Sequence, residues 1–311
     1  LLVISLGFIL FLFAARMIIP NRTIIPYMFP IAAYALIIVS FFTLEVSLIF
    51  SLALAILVTH GNNSPIELTV LYILTSLVSV VILSRVRNII NFIWAALAIS
   101  LSGILIVTSY RFINPVTDII GLATLYGAVI LNGLASASIA LLAQYILSQV
   151  LGIPTPMYLI ELSRSDHPLL KQLLQNSPGT YQHSLQVANL AEQAAASIGA
   201  DALLTRVGTY FHDAGKSVNP SFFIENQIPG NIDSHDQKDP VITAQTIIAH
   251  VHDGVKLAEK HHLPRRIQDF ILEHHGTQLT RYQYGRAVEL VNNQAELVDA
   301  ELFRYPGPKP R

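Results

Sequence analysis

The chain has no cysteine among its 311 residues, which excludes disulfides, thiolate metal sites and a cysteine nucleophile. The absence also fits a reducing compartment for any catalytic part. Charge is scarce and unevenly placed. Residues 1–150 hold eight Asp, Glu, Lys or Arg, namely Arg16, Arg22, Glu45, Glu67, Arg85, Arg87, Arg111 and Asp118, and no lysine precedes Lys171. The whole chain has 39 such residues, so 31 fall in residues 151–311. A net charge of -1 and a pI near 6.9 leave no electrostatic footprint for binding a nucleic-acid polymer. A phosphate-bearing ligand would have to be held by metal and local cations. Alternating strand patterns are also missing, and the expected fold class is all-α.

What is present divides near residue 150. Residues 1–150 form the expected transmembrane domain, with six apolar segments at 1–19, 26–43, 45–59, 66–84, 89–109 and 118–147. A spanning helix needs roughly 20 predominantly apolar residues. The second and third segments form one run interrupted by Glu45, with a bend expected at Pro30, and read as a tight helical hairpin. The last segment is long enough to leave the bilayer as a stalk. Gly127, Gly133, Ala135, Ser136 and Ala137 offer small surfaces for close helix packing. Six such segments in succession, with so few charges, argue against buried helices of a large soluble protein. Both ends of the chain read as cut: it starts at Leu1 inside an apolar run and stops at Arg311 without a terminating element.

With six crossings, both ends of the domain lie on one side. Arg85 and Arg87 then share the side of the C-terminal half, while Arg16, Arg22 and Arg111 face the other. Two arginines against three run counter to the positive-inside rule. The C-terminal half is placed in the cytoplasm on its chemistry, not on loop charge.

From Leu159 onward the pattern reads as helical throughout. Asp166 is the expected cap of a helix over 166–175, with Pro168 in its first turn. Further helices are expected over 181–198, over 202–214 capped by Asp201, over 240–260 and over 265–275. Along them lie six ligand-type side chains: His183, the pair His212-Asp213, His250 and the pair His274-His275. Imidazole and carboxylate together suit divalent transition metals, and six exceed what one ion needs. Neighbours on a helix diverge by roughly 100°, so a pair near a helix end can serve two ions. Converging helices are an established place for a dinuclear centre.

A lone histidine is more often a surface or core residue than a ligand. His60 reads as solvated in a polar loop, His167 as part of a helix start, and His261 and His262 as exposed at a turn. His252, two residues from His250, points to the opposite side of its helix. The sharpest piece is His212-Asp213-Ala214-Gly215-Lys216. Its aspartate can bridge two cations, its glycine permits close approach, and Lys216 can meet phosphate.

With these residues in place, the chain resembles the HD-domain metal phosphohydrolases, marked by a histidine, then His-Asp, then a distal aspartate. More narrowly it resembles the seven-transmembrane HD family, the PgpH-type cyclic di-AMP phosphodiesterases. The strings that carry this are 178–184 (PGTYQHS), 187–192 (VANLAE), 212–216 (HDAGK), 222–227 (FFIENQ), 274–277 (HHGT) and 303–310 (FRYPGPKP). No Gly-Tyr-Pro follows the paired histidines, as it would in HD-GYP enzymes. The resemblance implies that His183, His212, Asp213, His250, His274 and His275 hold two divalent transition metals, manganese or iron, bridged by Asp213. Asp213 and Lys216 would carry the catalysis. The implied reaction is hydrolysis of cyclic di-AMP to linear pApA by metal-activated water, in an HD domain at the cytoplasmic face of a bacterial plasma membrane. In the family the last ligand is an aspartate beyond the 303–310 string. Here Asp299 precedes that string, so the HD domain at 151–311 is expected to be incomplete. Family members also begin with an extracellular domain and a further membrane helix.

Implied partners are a cyclic dinucleotide and the lipid bilayer, and a homo-oligomer is allowed. Tyr181, Phe222, Phe223, Tyr282 and Tyr284 are available for purine recognition. Two other readings remain: an HD phosphohydrolase for another nucleotide, and a non-catalytic membrane receptor whose HD half only binds ligand.

Overall fold

In the computed structural model, residues 2–62, 64–85, 89–113, 118–227 and 238–310 are described. They are helical with no strand; an isolated bridge pairs Leu279 with Arg304. The chain forms two compact units, Leu1–Leu147 and Ser148–Arg311.

Unit 1 contains the apolar helices α1 (Leu2–Ile18), α2 (Ile25–Met28), α3 (Ala32–Phe41), α4 (Leu44–Thr59), α5 (Pro65–Arg85), α6 (Ile89–Ile113) and α7 (Ile119–Leu151). Every expected apolar segment is helical. The loop that carries Arg87 lies outside the described residues. Helices α5, α6 and α7 contain runs of 20, 24 and 33 residues long and apolar enough to cross a membrane, and the others are shorter apolar helices. Helix α3 is buried from Ala32 to Ser40, as expected of a helix that is hydrophobic all round. The outer helices do the reverse. Ile9 and Phe13 of α1, Ile49 and Ile56 of α4, and Trp94, Leu97, Leu101 and Leu105 of α6 are each more than half exposed. So large an apolar surface needs hydrocarbon as its solvent. The protein is a multi-pass membrane protein.

The bend expected at Pro30 is a full break that separates α2 from α3. Pro30 has no N–H to give to the Pro26 carbonyl, and the Ile31 N–H turns to Phe29 instead. Two carbonyls inside the bundle therefore lose their helical partners. The Tyr72 hydroxyl donates to the Pro26 carbonyl at 2.7 Å, and Asn132 Nδ2 donates to the Tyr27 carbonyl at 3.1 Å. Side-chain donors from other helices thus repair the break where water cannot. The small residues divide in role. At Gly133 a Cβ would fall 2.5 Å from the Ala96 carbonyl oxygen, so α7 lies directly on α6; at Gly127 it would meet nothing.

Unit 2 is built from α8 (Pro156–Leu162), α9 (Pro168–Asn176), α10 (Pro178–Ser197), α11 (Ala202–Phe211), a 3-10 turn (Ala214–Val218), α12 (Pro240–Lys260), α13 (Arg265–Glu273) and α14 (Arg281–Leu290). Its core joins Leu169, Leu170, Val207, Phe211, Ala214, Ala258, Ile267 and Ile271. Asp201 caps α11 by accepting from Leu204 N–H, as expected. Asp166 does not cap α9. Arg164 takes its carboxylate, and His167 caps the helix by accepting from Leu169 N–H. His261 is half-buried rather than exposed, its ring 6.3 Å from that of His167.

Candidate metal centre

Each ligand-type residue is delivered by a helix or its end. His183 sits early on α10, His212 ends α11, His250 lies inside α12 and His274 ends α13. Asp213 follows α11 immediately, and its side chain is 3% exposed. The six residues come together as two groups sharing Asp213: Asp213 with His250, His274 and His275, and Asp213 with His183 and His212. Within each group the ligand atoms lie within 4.8 Å of one another.

The carboxylate divides its oxygens between the groups. Oδ2 lies 3.2 Å from His212 Nε2 and 2.8 Å from Lys216 Nζ. Oδ1 lies 3.4 Å from His250 Nε2 and 3.5 Å from His274 Nε2. Backbone carbonyls decide what those nitrogens offer. Nδ1 of His212, His250 and His274 each faces the carbonyl three residues earlier, on Thr209, Ile247 and Ile271. A carbonyl there demands N–H at Nδ1 and, in the neutral ring, leaves Nε2 as a lone pair. His250 Nε2 and His274 Nε2 lie 3.4 Å apart, and with both rings neutral neither has a proton to share with the other. Buried Asp213 Oδ1 has no hydrogen-bond donor. Three lone pairs thus converge with nothing to bind, which costs free energy unless a cation joins them. The donor set of imidazole and carboxylate fits a divalent transition metal.

Protonation follows the same geometry. Burial alone would raise the pKa of Asp213, but the positive charge His212 can carry beside it holds it well below the carboxylate range. Burial, reinforced by His274 and His250, lowers His275 to about 3, and burial also lowers His274. Lys216 is raised: burial opposes its charge, but Asp213 and Glu225 outweigh it. The anionic Asp213 and the neutral His274 and His275 are in the forms a metal requires, whereas the Asp213 carboxylate raises the pKa of His212 against its burial, so an ion there would displace a proton.

Gly215 lets this loop lie against α12, since a Cβ there would fall 1.8 Å from the His250 carbonyl oxygen. Sequence reasoning passed over two further participants. Glu225 binds Lys216 Nζ at 2.9 Å and accepts from the Thr180 hydroxyl at 3.0 Å. Tyr305 stacks on His275 with ring centroids 4.1 Å apart. Both stand in strings already singled out, yet nothing in a string reports a partner 30 residues distant. Among the candidate aromatics, Phe223 packs edge-on to His250, while Tyr284 packs on Phe303 away from the cluster and Tyr282 is exposed. Asp299 caps the 3-10 turn at 300–303 and is not in either group.

Architecture and site together define a membrane-anchored HD protein. Residues 1–155 match the family described as 7TM receptor with intracellular HD hydrolase, and residues 180–301 match the HD domain. The chain belongs to this seven-transmembrane HD family. It is 34% identical over 295 residues to the Cyclic-di-AMP phosphodiesterase PgpH of Bacillus subtilis (strain 168), covering 92% of this chain and 41% of that protein. To the protein of the same name from Listeria monocytogenes it is 35% identical over 297 residues, covering 94% and 40%. The chain thus spans about two fifths of the length of these curated relatives. A crystal structure of the L. monocytogenes PgpH HD domain in complex with cyclic-di-AMP is 44% identical, with a TM-score of 0.44, over 48% of this chain and 67% of that one.

Proposed function

We propose that the protein is a metal-dependent phosphodiesterase that hydrolyses cyclic di-AMP to pApA at a dinuclear centre facing the cytoplasm. The observation that carries the reading is the convergence of the Nε2 atoms of His212, His250 and His274 on both oxygens of one buried carboxylate. Asp213 would be shared by the two ions, with His250, His274 and His275 to hold one and His183 and His212 to hold the other. Imidazole-rich positions favour manganese or iron over magnesium. When bound, the ions supply Lewis acidity and a nucleophile from water at neutral pH. The relatives' name supplies the substrate: both curated proteins are called cyclic-di-AMP phosphodiesterases.

The chain's own side chains do the rest. Lys216, held protonated between Asp213 and Glu225, places a positive charge beside the site where phosphate oxygens gather negative charge. Glu225, tied in turn to Thr180, fixes the direction of that ammonium. Phe223 lies 5.2 Å under Lys216 Nζ and excludes water from one side.

Purified intact protein loaded with manganese is expected to convert cyclic di-AMP to pApA. His212→Ala and Asp213→Ala are expected to abolish turnover while leaving a folded protein. Turnover that survives either change overturns the assignment, and hydrolysis of other nucleotides in preference to cyclic di-AMP overturns the substrate.

A further inference from the structure

The hydrolase reading uses nothing from unit 1, and it leaves the outward arginines unexplained. A cavity of about 700 Å³ opens beside them, a size suited to a small organic molecule. Its walls all come from one end of the bundle: the last turn of α1 and residues 19–24, the turn between α4 and α5, the end of α6 and the first two turns of α7. This is the end of α7 opposite its run toward Leu151.

The charge balance of this end is incomplete. Unit 1 has three carboxylates, Glu45, Glu67 and Asp118. Glu45 is in the first turn of α4, at the other end of that helix. Glu67 is buried, accepts from the Tyr27 hydroxyl at 2.7 Å and pairs with Arg111 at 3.5 Å. Asp118 accepts from Gly121 N–H at the start of α7. Among the described residues neither Arg16 nor Arg22 pairs with a carboxylate, and the cavity lining, with Arg16, Arg22 and Arg111 against Asp118 and with Glu67 behind Arg111, keeps one positive charge in excess. Arg16 donates to the carbonyls of Leu57 at 2.7 Å and His60 at 2.9 Å, which holds its guanidinium in place without neutralising it. Among the described residues Arg22 has no ion-pair partner. Ionisable groups in a membrane bundle are costly and mark ligand or ion paths, and a guanidinium is suited to carboxylate or phosphate. Elsewhere the wall is mixed: Ile24, Leu122 and Leu125 offer an apolar strip beside the polar Asn21, Thr23, Asn62, Ser64, Asp118 and Thr124.

We propose that this cavity binds a small amphipathic anion, with its carboxylate or phosphate on Arg16 and Arg22 and its apolar body against Ile24, Leu122 and Leu125. The same site explains why these arginines stand against the positive-inside trend. The anion has two sources of shared chemistry, a lipid headgroup or a water-borne organic acid.

Calorimetry on the intact protein in dodecyl maltoside, with hexyl phosphate as probe, tests this. Saturable one-site binding is expected, about tenfold or more tighter than for hexanol, and the Arg16→Gln/Arg22→Gln double variant is expected to lose that preference. Among the described residues the Arg22 side chain makes no hydrogen bond, so Arg22→Gln alone guards against misfolding. It is expected to weaken hexyl phosphate by roughly threefold or more with an unchanged unfolding temperature. Hexanol binding as tightly as hexyl phosphate, no saturation, or variants that bind like the wild type would each overturn the proposal. In nanodiscs, competition by phosphatidylglycerol identifies a headgroup as occupant; undiminished probe binding identifies a water-borne anion.

Discussion

At Asp213 a carboxylate is buried with the Nε2 atoms of His212, His250 and His274 within 3.5 Å of its oxygens. Asp213→Asn keeps the shape but removes the charge, so the proposed ions should be lost with it. Glu225 acts one step out, through Lys216. Glu225→Gln is expected to lower kcat by about 10–100-fold, in the manner of outer-shell partners, with little change in metal content. A fall in metal content instead would place Glu225 among the ligands. Gly215→Ala would drive a methyl into the His250 carbonyl. A cost of about 1–3 kcal/mol is expected, read as a drop of roughly 2–4 °C in unfolding temperature per kcal/mol. His167 gives a pH signature away from the metal centre. Burial, with His261 nearby, lowers its pKa below the ordinary 6.5. Its neutral ring caps α9, so this stability is present above pH 6.5 and is lost as pH falls through 6.5 toward the lowered value. His167→Ala should cost about 1 kcal/mol at pH 7.5 and flatten the decline between pH 7 and 5. An unchanged pH profile in that variant would remove His167 as the cause.

The candidate ligands were legible as residues because chemistry marks them: His-Asp beside Gly and Lys is rare in a plain helix. Their partners were not. Glu225 and Tyr305 act through contacts 9 and 30 positions away from Lys216 and His275, on elements whose packing no local pattern encodes. The cap of α9 was misplaced by one residue for a similar reason. Aspartate is the better cap by propensity, but Arg164 engages Asp166 and Pro168 fixes the first turn behind His167.

Among the elements, α2 and α3 show where periodicity reaches its limit. The apolar run and Pro30 announced a helix with a disturbance. The depth of the break depends on Tyr72 and Asn132, which belong to α5 and α7. Replacing Asn132 by Ala removes the donor to the Tyr27 carbonyl inside the bundle. A cost of about 1–3 kcal/mol is expected for the unsatisfied group, measured as earlier thermal unfolding in detergent; Tyr72→Phe should act alike. Equal stability of both variants would mean that water reaches the break. Helix α14 was not anticipated, because its buried contacts are few, Gln283 and Ala287, and it offers little apolar stripe to read.

For the whole molecule, charge is scarce before residue 150, and the structure divides into Leu1–Leu147 with an apolar exterior and Ser148–Arg311 with an internal core. Orientation is the part that loop charge could not supply. A fluorescent-protein fusion after Arg311 should be bright in bacteria and an alkaline phosphatase fusion at the same place inactive. The opposite pattern would put unit 2 outside the cytoplasm and remove its proposed substrate. Chelation should lower the unfolding temperature of unit 2 and leave unit 1 unchanged, since ligand binding stabilises only the fold that contains the site.

The most direct measurement is the metal content of the intact protein, purified without chelator and compared with Asp213→Ala. Two equivalents of manganese or iron per chain, lost together in the variant, are what a shared carboxylate predicts. No bound metal, or two equivalents retained without Asp213, would contradict a dinuclear centre built on that residue.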